Sequence, residues 1–272
     1  MGPIIDVSSP GWLELSLDAV RDVGYAIVTG AIPESISSVF FTAATRLDAA
    51  VAREMGQSYA LSNLEKRGRI ERQAPFAYDP HFLEYLELPA TTHLVERWLG
   101  AHATLRSQTL EIQLGQCPTL LQSQWHMNFK EPAVKALDLL YFPEPMKEAE
   151  CCLQLVPGSH RRTSRPSDEY LAWACRGIAC PAGSLVVMDA RLWHRERPSD
   201  PQTRQCLVHN LFVPHWVKPF FDYPRLVGKE RMETLSERVQ TYLGWFSRPP
   251  RSLAEFALPP GHRTYREGQW DI

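Results

Sequence analysis

Apolar positions change their period twice along the chain. Between Pro33 and Gly56 they recur at Ile36, Val39, Phe40, Ala43, Leu47, Ala50 and Val51. That three-and-four spacing puts one face of a helix on a core; Pro33 starts the helix and Gly56 stops it. Just upstream, residues 18–32 read as a short helix running into a strand, Tyr25–Val28, ended by Gly30. From Gln57 to Pro89 the period dissolves. Thr92 to Trp98 is a short helix, capped by Thr91 or Thr92 and stopped by Gly100. After Gly100 the pattern becomes short runs rich in Val, Leu and aromatics: ATLRSQTLEIQLG, LLQSQWHMNF, VKALDLLYF, CLQLVPGSH, GSLVVMDARLWH and RQCLVHNLFVPHW. Turn residues at 115–118, 143–145, 157–158, 181–183 and 198–201 separate them. This spacing predicts an all-β sandwich or barrel. After Trp216 the helical period returns in KERMETLSERVQTYLGWF, ending near Gly244, and a Pro-rich tail follows. The chain has no internal repeat, no βαβ alternation, no GxGxxG and no P-loop.

The polar positions of one run stand out. In Gln122–Glu131, QSQWHMNFKE, strand parity places Gln122, Gln124, His126 and Asn128 on one face and Trp125, Met127 and Phe129 on the other. His126 and Asn128 then project together, about 7 Å apart at the backbone, and an imidazole nitrogen and an amide oxygen can meet on one metal ion. Alone, a His-x-Asn pair reads equally as a hydrogen-bonded histidine.

Composition narrows the partners. The chain has 272 residues, 44% hydrophobic, and a formal net charge of −2, so no whole-chain basic field points to nucleic acid or an anionic membrane. No stretch of 18 apolar residues predicts a membrane span, and MGPIIDVSSP lacks the pattern of a secretory signal. The six cysteines form no paired CxxC motifs and are expected as reduced thiols in the cytoplasm. Lys66, Arg67, Arg69 and Arg72, interleaved with Glu65 and Glu71, read either as a solvated face or as part of a lid over 57–90 whose arginines meet an anionic substrate.

Three further features join the His-x-Asn run. VPGSH, Val156–His160, is a strand ending in a tight turn. GSLVVMDARLWH is a strand from Gly183 delivering His194 at its end. Arg204 opens the next strand. Two histidines and an oxygen donor make a three-ligand face with open positions, the arrangement of iron(II) centres that bind oxygen and a co-substrate. A buried Arg nearby pairs with a carboxylate through two parallel hydrogen bonds.

In order and spacing, GYAIVTGAIP, the WHMN run, LQLVPGSH, and GSLVVMDARLWH with Arg204 resemble the phytanoyl-CoA dioxygenase family of iron(II)/2-oxoglutarate dioxygenases, over about residues 20–215. The resemblance implies a double-stranded β-helix, or jelly roll, mainly β with flanking helices. It implies that His126, residue 128 and His194 hold Fe(II), that Arg204 binds the distal carboxylate of 2-oxoglutarate, and that a small-molecule substrate is oxidised with molecular oxygen while succinate and carbon dioxide are released. Gln124 is expected on the co-substrate side of the site. Secondary-metabolite tailoring is the expected setting, with no nucleic acid or membrane partner. The expected organisation is one dioxygenase domain over 1–272: a helical scaffold and possible lid over 1–104, a jelly-roll core over 105–216, and a C-terminal helix and tail over 217–272.

Asn128 departs from the family, which has Asp there. An amide offers one neutral carbonyl oxygen where a carboxylate offers a full charge. Three readings stay open: a working enzyme with an amide ligand, weak iron binding by two histidines and water, or a catalytically impaired member acting as a binding or partner subunit. Asp138, on the next strand, could lend a carboxylate or lie at the surface. His160 is expected to be structural. His209 reads as a satisfied core or pocket residue. His81, His93, His102 and His262 read as surface residues, and Trp193 and Trp216 as packing residues. Arg195 and Cys151–Cys152 also depart from the family pattern.

Overall fold

The computed structural model describes residues 2–56, 69–114, 127–128, 133–147, 153–162, 164–196, 204–247, 252–259 and 262. The chain begins with strand β1 (Ile4–Asp6), helix α1 (Trp12–Val23) and strand β2 (Tyr25–Thr29). Helices α2 (Glu34–Ser37) and α3 (Phe40–Met55) precede strand β3 (Arg69–Gln73). Helices α4 (His81–Glu87) and α5 (Pro89–Leu99) lead into β4 (Thr104–Leu114). Then come β5 (Leu137–Phe142), β6 (Leu153–Leu155), α6 (Asp168–Ala174), β7 (Arg176–Gly177), β8 (Ser184–Asp189), β9 (His194–Glu196) and β10 (Arg204–Val213). Four short helices follow: α7 (Tyr223–Val227), α8 (Lys229–Thr234), α9 (Glu237–Tyr242) and α10 (Leu253–Phe256).

Seven strands form one sheet in the order β1-β2-β8-β5-β10-β4-β3, and three form a second in the order β7-β6-β9. All pairings are antiparallel except β1 with β2. Strand parity separates two cores. Leu137, Leu139 and Tyr141 of β5 join Leu185, Val187, Val208 and Phe212 against the helices, with Leu17, Phe40, Leu47, Phe82 and Leu94. The alternate residues Leu140 and Phe142 join Val186, Met188 and Leu207 against Leu153 and Leu155 of the second sheet. Each fully buried aliphatic side chain contributes about 1.5–3 kcal/mol, so the large sheet is held from both faces. This is the expected jelly roll, with helices packed on the large sheet and α6 beside the small one.

Several local expectations change. The helix predicted from Pro33 is split into α2 and α3, although Gly56, at φ 71°, ends it as expected. The helix predicted from Thr92 begins at Pro89: proline suits the first helical turn, and Leu88 before it takes an extended conformation (ψ 134°). Thr91 is therefore no cap; it lies inside the helix and donates to Tyr85 O at 2.8 Å. In the 57–90 segment, Lys66 and Arg67 lie outside the described residues. Within residues 69–90, β3 pairs with β4 and α4 packs into the core. Arg72 is 4% exposed and bonds Asp48 of α3 through Nη2 at 2.6 Å and Nε at 3.1 Å, so it ties strand to helix. The single helix expected after Trp216 is broken: the Ser236 hydroxyl accepts from Val239 N–H and starts α9 afresh. His81 is buried at 4% exposure, not at the surface, while Trp216 is 59% exposed and packs no core.

Candidate metal and co-substrate site

The two sheets are joined by the segment that presents His194. β8 ends at Asp189, whose buried carboxylate accepts from the backbone N–H of Arg191 at 2.9 Å and from its guanidinium at 2.7 Å. Leu192 N–H returns to Asp189 O at 2.8 Å. This tight turn carries the chain across to the second sheet. His194 is thus not the end of the β8 strand, as expected, but the first residue of β9, paired with Leu155.

The VPGSH turn braces that crossing from one side. Val156 N–H donates to Trp193 O, and Trp193 N–H donates to Ser159 Oγ, both at 2.9 Å. On its other side the turn meets the end of α1: Gly158 N–H donates to Val23 O at 2.8 Å and His160 Nε2 to Arg21 O at 3.1 Å. A carbonyl only accepts, so His160 carries its proton on Nε2 and points a bare Nδ1 towards Gly24. Burial holds the His160 pKa below its ordinary value. Its expected structural role is what the geometry supports. Gly24 is at φ 95°, and a Cβ there would run into Leu192 and His160, so the early glycine serves the same junction.

His194 is 3% exposed, and its Nδ1 donates to Leu192 O at 2.8 Å. That bond puts the imidazole lone pair on Nε2, the tautomer and support typical of a metal-ligating histidine. Asn128 donates from Nδ2 to Asp138 Oδ2 at 3.0 Å, which turns its carbonyl oxygen away from that carboxylate. Met127 beside it packs on the cluster of Val156, Leu171, Ala174 and Trp193, so the neighbours of Asn128 and of His194 belong to one apolar patch. Met127 and Asn128 are not in a strand, as the His-x-Asn reading had it; Asn128 sits at a bend. The chemistry of these donors, a neutral imidazole and an amide oxygen, fits an iron(II) ion. His126 and Gln124 lie outside the described residues. Arg204 opens β10 with its backbone paired to Leu114, and its side chain lies outside the description. Cys151 and Cys152 are likewise outside it, and Arg195 Nε donates to Gln154 Oε1 at 2.7 Å.

Asp138 is fully buried, which excludes the surface alternative. Its Oδ1 accepts from His209 Nε2 at 2.7 Å, and His209 Nδ1 lies 3.9 Å from Glu111 Oε1. His209 is thus a satisfied pocket residue. Among the described residues, no three His, Cys, Asp or Glu side chains form a group that could hold a metal, and this trio is not one. Along the sequence Asp138 and His209 stand far apart. Their partnership depends on β5 and β10 being neighbours in a register that brings residues 71 positions apart into contact.

The family model for phytanoyl-CoA dioxygenase matches residues 20–206, and the chain belongs to that family. It is accordingly a non-haem iron(II) dioxygenase with 2-oxoglutarate as co-substrate. Among curated proteins it is similar to the uncharacterized proteins Rv1501 of Mycobacterium tuberculosis and Mb1539 of Mycobacterium bovis. Each is 29% identical over 266 residues, covering 93% of this chain and 96% of the relative. The fold is shared with HygX from Streptomyces hygroscopicus (TM-score 0.59, 11% identity, 78% of this chain and 93% of that one). It is also shared with the epimerase SnoN (TM-score 0.58, 16% identity, 76% and 85%) and the non-haem monooxygenase ThoJ (TM-score 0.56, 16% identity, 75% and 78%). Among the described residues no helix is long and apolar enough to cross a membrane.

Proposed function

We propose that His126, Asn128 and His194 hold the iron(II), that Arg204 pairs with the distal carboxylate of 2-oxoglutarate with Gln124 beside it, and that the chain oxidises a small organic molecule in the cytoplasm. Hydroxylation or a related C–H oxidation is the reaction, carried by one domain spanning the chain. Bound iron with 2-oxoglutarate supplies oxygen activation coupled to decarboxylation. The protein's part is to hold His194 with its lone pair on Nε2 and to present the Asn128 carbonyl. The observation that carries this reading is the His194 Nδ1–Leu192 O bond, because it puts the lone pair on Nε2, the form in which an imidazole ligates a metal. Tailoring of a secondary metabolite is supported by two of the proteins that share the fold: HygX has been crystallised with nickel, 2-oxoglutarate and hygromycin B, and SnoN with Fe3+, alpha ketoglutarate and nogalamycin RO.

Anaerobic addition of iron(II) and 2-oxoglutarate tests the assignment. A weak visible charge-transfer band is expected with the wild-type chain and none with His194→Ala. A second reading, an impaired family member that serves as a binding or partner subunit, is favoured by Asn128. It requires that the wild-type chain give no band and release no succinate with any candidate substrate.

A further inference from the structure

We infer that Asp138 carries the negative charge of this metal site and sets the orientation of Asn128, with His209 as its brace; the inference rests on the reading that Asn128 is a ligand. Asp138 is fully buried on β5 and takes one hydrogen bond on each oxygen, from Asn128 Nδ2 on Oδ2 at 3.0 Å and from His209 Nε2 on Oδ1 at 2.7 Å. An ionised carboxylate only accepts. The edge of the amide that faces Asp138 must therefore be its NH2, and the carbonyl oxygen is directed elsewhere. A reversed amide would offer a metal only an NH2, which has no lone pair to give. Asp138 thus does for Asn128 what a supporting carboxylate does for a ligating histidine.

The same contact accounts for the departure from the family. An Asp at position 128 would stand about 3 Å from the Asp138 carboxylate, and two like charges at that distance oppose each other. Asn fits beside Asp138 where Asp does not. The carboxylate that the family places on the ligand residue is present here one hydrogen bond further out. A divalent ion on the carbonyl side of Asn128 would offset the charge that Asp138 buries, and the amide between them transmits the attraction through its own dipole.

The test uses the full chain and nickel(II), which is redox-inert, titrated by calorimetry into metal-free protein. Asp138→Asn changes one oxygen into an NH2 group with little change in volume. His209 still needs an acceptor, so the introduced amide turns its carbonyl to His209 and its NH2 to Asn128. Asn128 must then rotate and present its own NH2 to the metal. Nickel affinity should fall roughly 10–100-fold, while the metal-free melting temperature stays near that of the wild type. The exchange variant, Asn128→Asp with Asp138→Asn, keeps both hydrogen bonds and moves the charge to position 128; it should bind nickel at least as tightly as the wild type. Unchanged affinity in Asp138→Asn, or failure of the exchange to recover binding, overturns the inference. If Asp138→Asn does not fold, the exchange variant alone decides in the same two directions. His194→Ala separates the two levels. Wild-type binding that is lost in His194→Ala but untouched by Asp138→Asn sinks this inference and leaves the site reading standing. A wild-type chain that binds no nickel, or a His194→Ala chain that binds it as well as the wild type, removes the site reading and this inference with it.

Discussion

A single amide shows how much one atom's placement decides. Asn128 can serve a metal only through its oxygen, and the Asp138 carboxylate beside it selects that orientation. Asn128→Asp, made alone, should lower the melting temperature of the metal-free protein, because a second carboxylate then stands against the buried one of Asp138; nickel(II) should recover much of the loss. An unchanged midpoint in the absence of metal would show that the two positions do not face each other. His160 offers a pH-dependent counterpart. Its pKa is held below the ordinary value of 6.5 by burial. Between that lowered value and 6.5 the unfolded chain binds the proton and the native one does not, so stability rises with pH across this window. The stability that the neutral imidazole contributes is fully present above 6.5 and drains away as pH falls through the folded value. His160→Gln, which keeps an N–H to donate to Arg21 O, should flatten the dependence of the melting temperature on pH below 6.5. A slope equal to that of the wild type would assign the acid sensitivity elsewhere.

Among the elements, the VPGSH turn has an influence out of proportion to its length. It is bonded to the end of α1 on one side and to the residues before His194 on the other. Gly24 lies between the two. Gly24→Ala forces a Cβ into Leu192 and His160 at a φ of 95°, which should destabilise the chain by about 1–3 kcal/mol from the backbone conformation alone. Chemical denaturation reads this directly; a wild-type midpoint would mean that the junction yields at no cost. Ser159→Ala leaves the Trp193 N–H without its partner in a buried place, a loss of about 1–3 kcal/mol. Because the same N–H fixes the approach to His194, metal affinity should fall along with stability. A drop in stability with unaltered nickel binding would confine the turn to a scaffold role.

At the scale of the whole molecule, the candidate site residues are drawn from both sheets. The large sheet supplies Asp138 and His209, the small one supplies His194, and Asn128 bonds the first while its neighbour Met127 packs beside the second. Arg204 begins the long strand β10 that also carries His209. If its guanidinium pairs with the distal carboxylate of 2-oxoglutarate, Arg204→Ala should weaken co-substrate binding by about 3–5 kcal/mol, the usual effect of breaking a buried charge pair. Calorimetry with 2-oxoglutarate on the nickel-loaded protein measures this, and an unchanged affinity would remove Arg204 from the co-substrate site.

Periodicity along the chain was enough to anticipate strands β2, β4, β5, β8 and β10 and the helix ended by Gly56, because each rests on residues within a few positions of one another. Local rules failed where distant contacts outweighed them. Thr91 could have capped a helix, but Pro89 started it earlier and Thr91 was drawn to Tyr85 and Tyr141 across the core. Arg72 carries the charge of a surface residue, yet Asp48 of α3 lies in reach and β4 offers a strand partner, so it is buried. His194 follows β8 by only a few residues, but the Asp189 turn hands it to the other sheet. The pairing of Asn128, Asp138 and His209 was decided by tertiary structure alone. It joins residues 10 and 71 positions apart: the register of β5 against β10, set by which faces of the strands are apolar, brings His209 to the buried Asp138, and the bend at Asn128 brings its amide to the other oxygen of the same carboxylate.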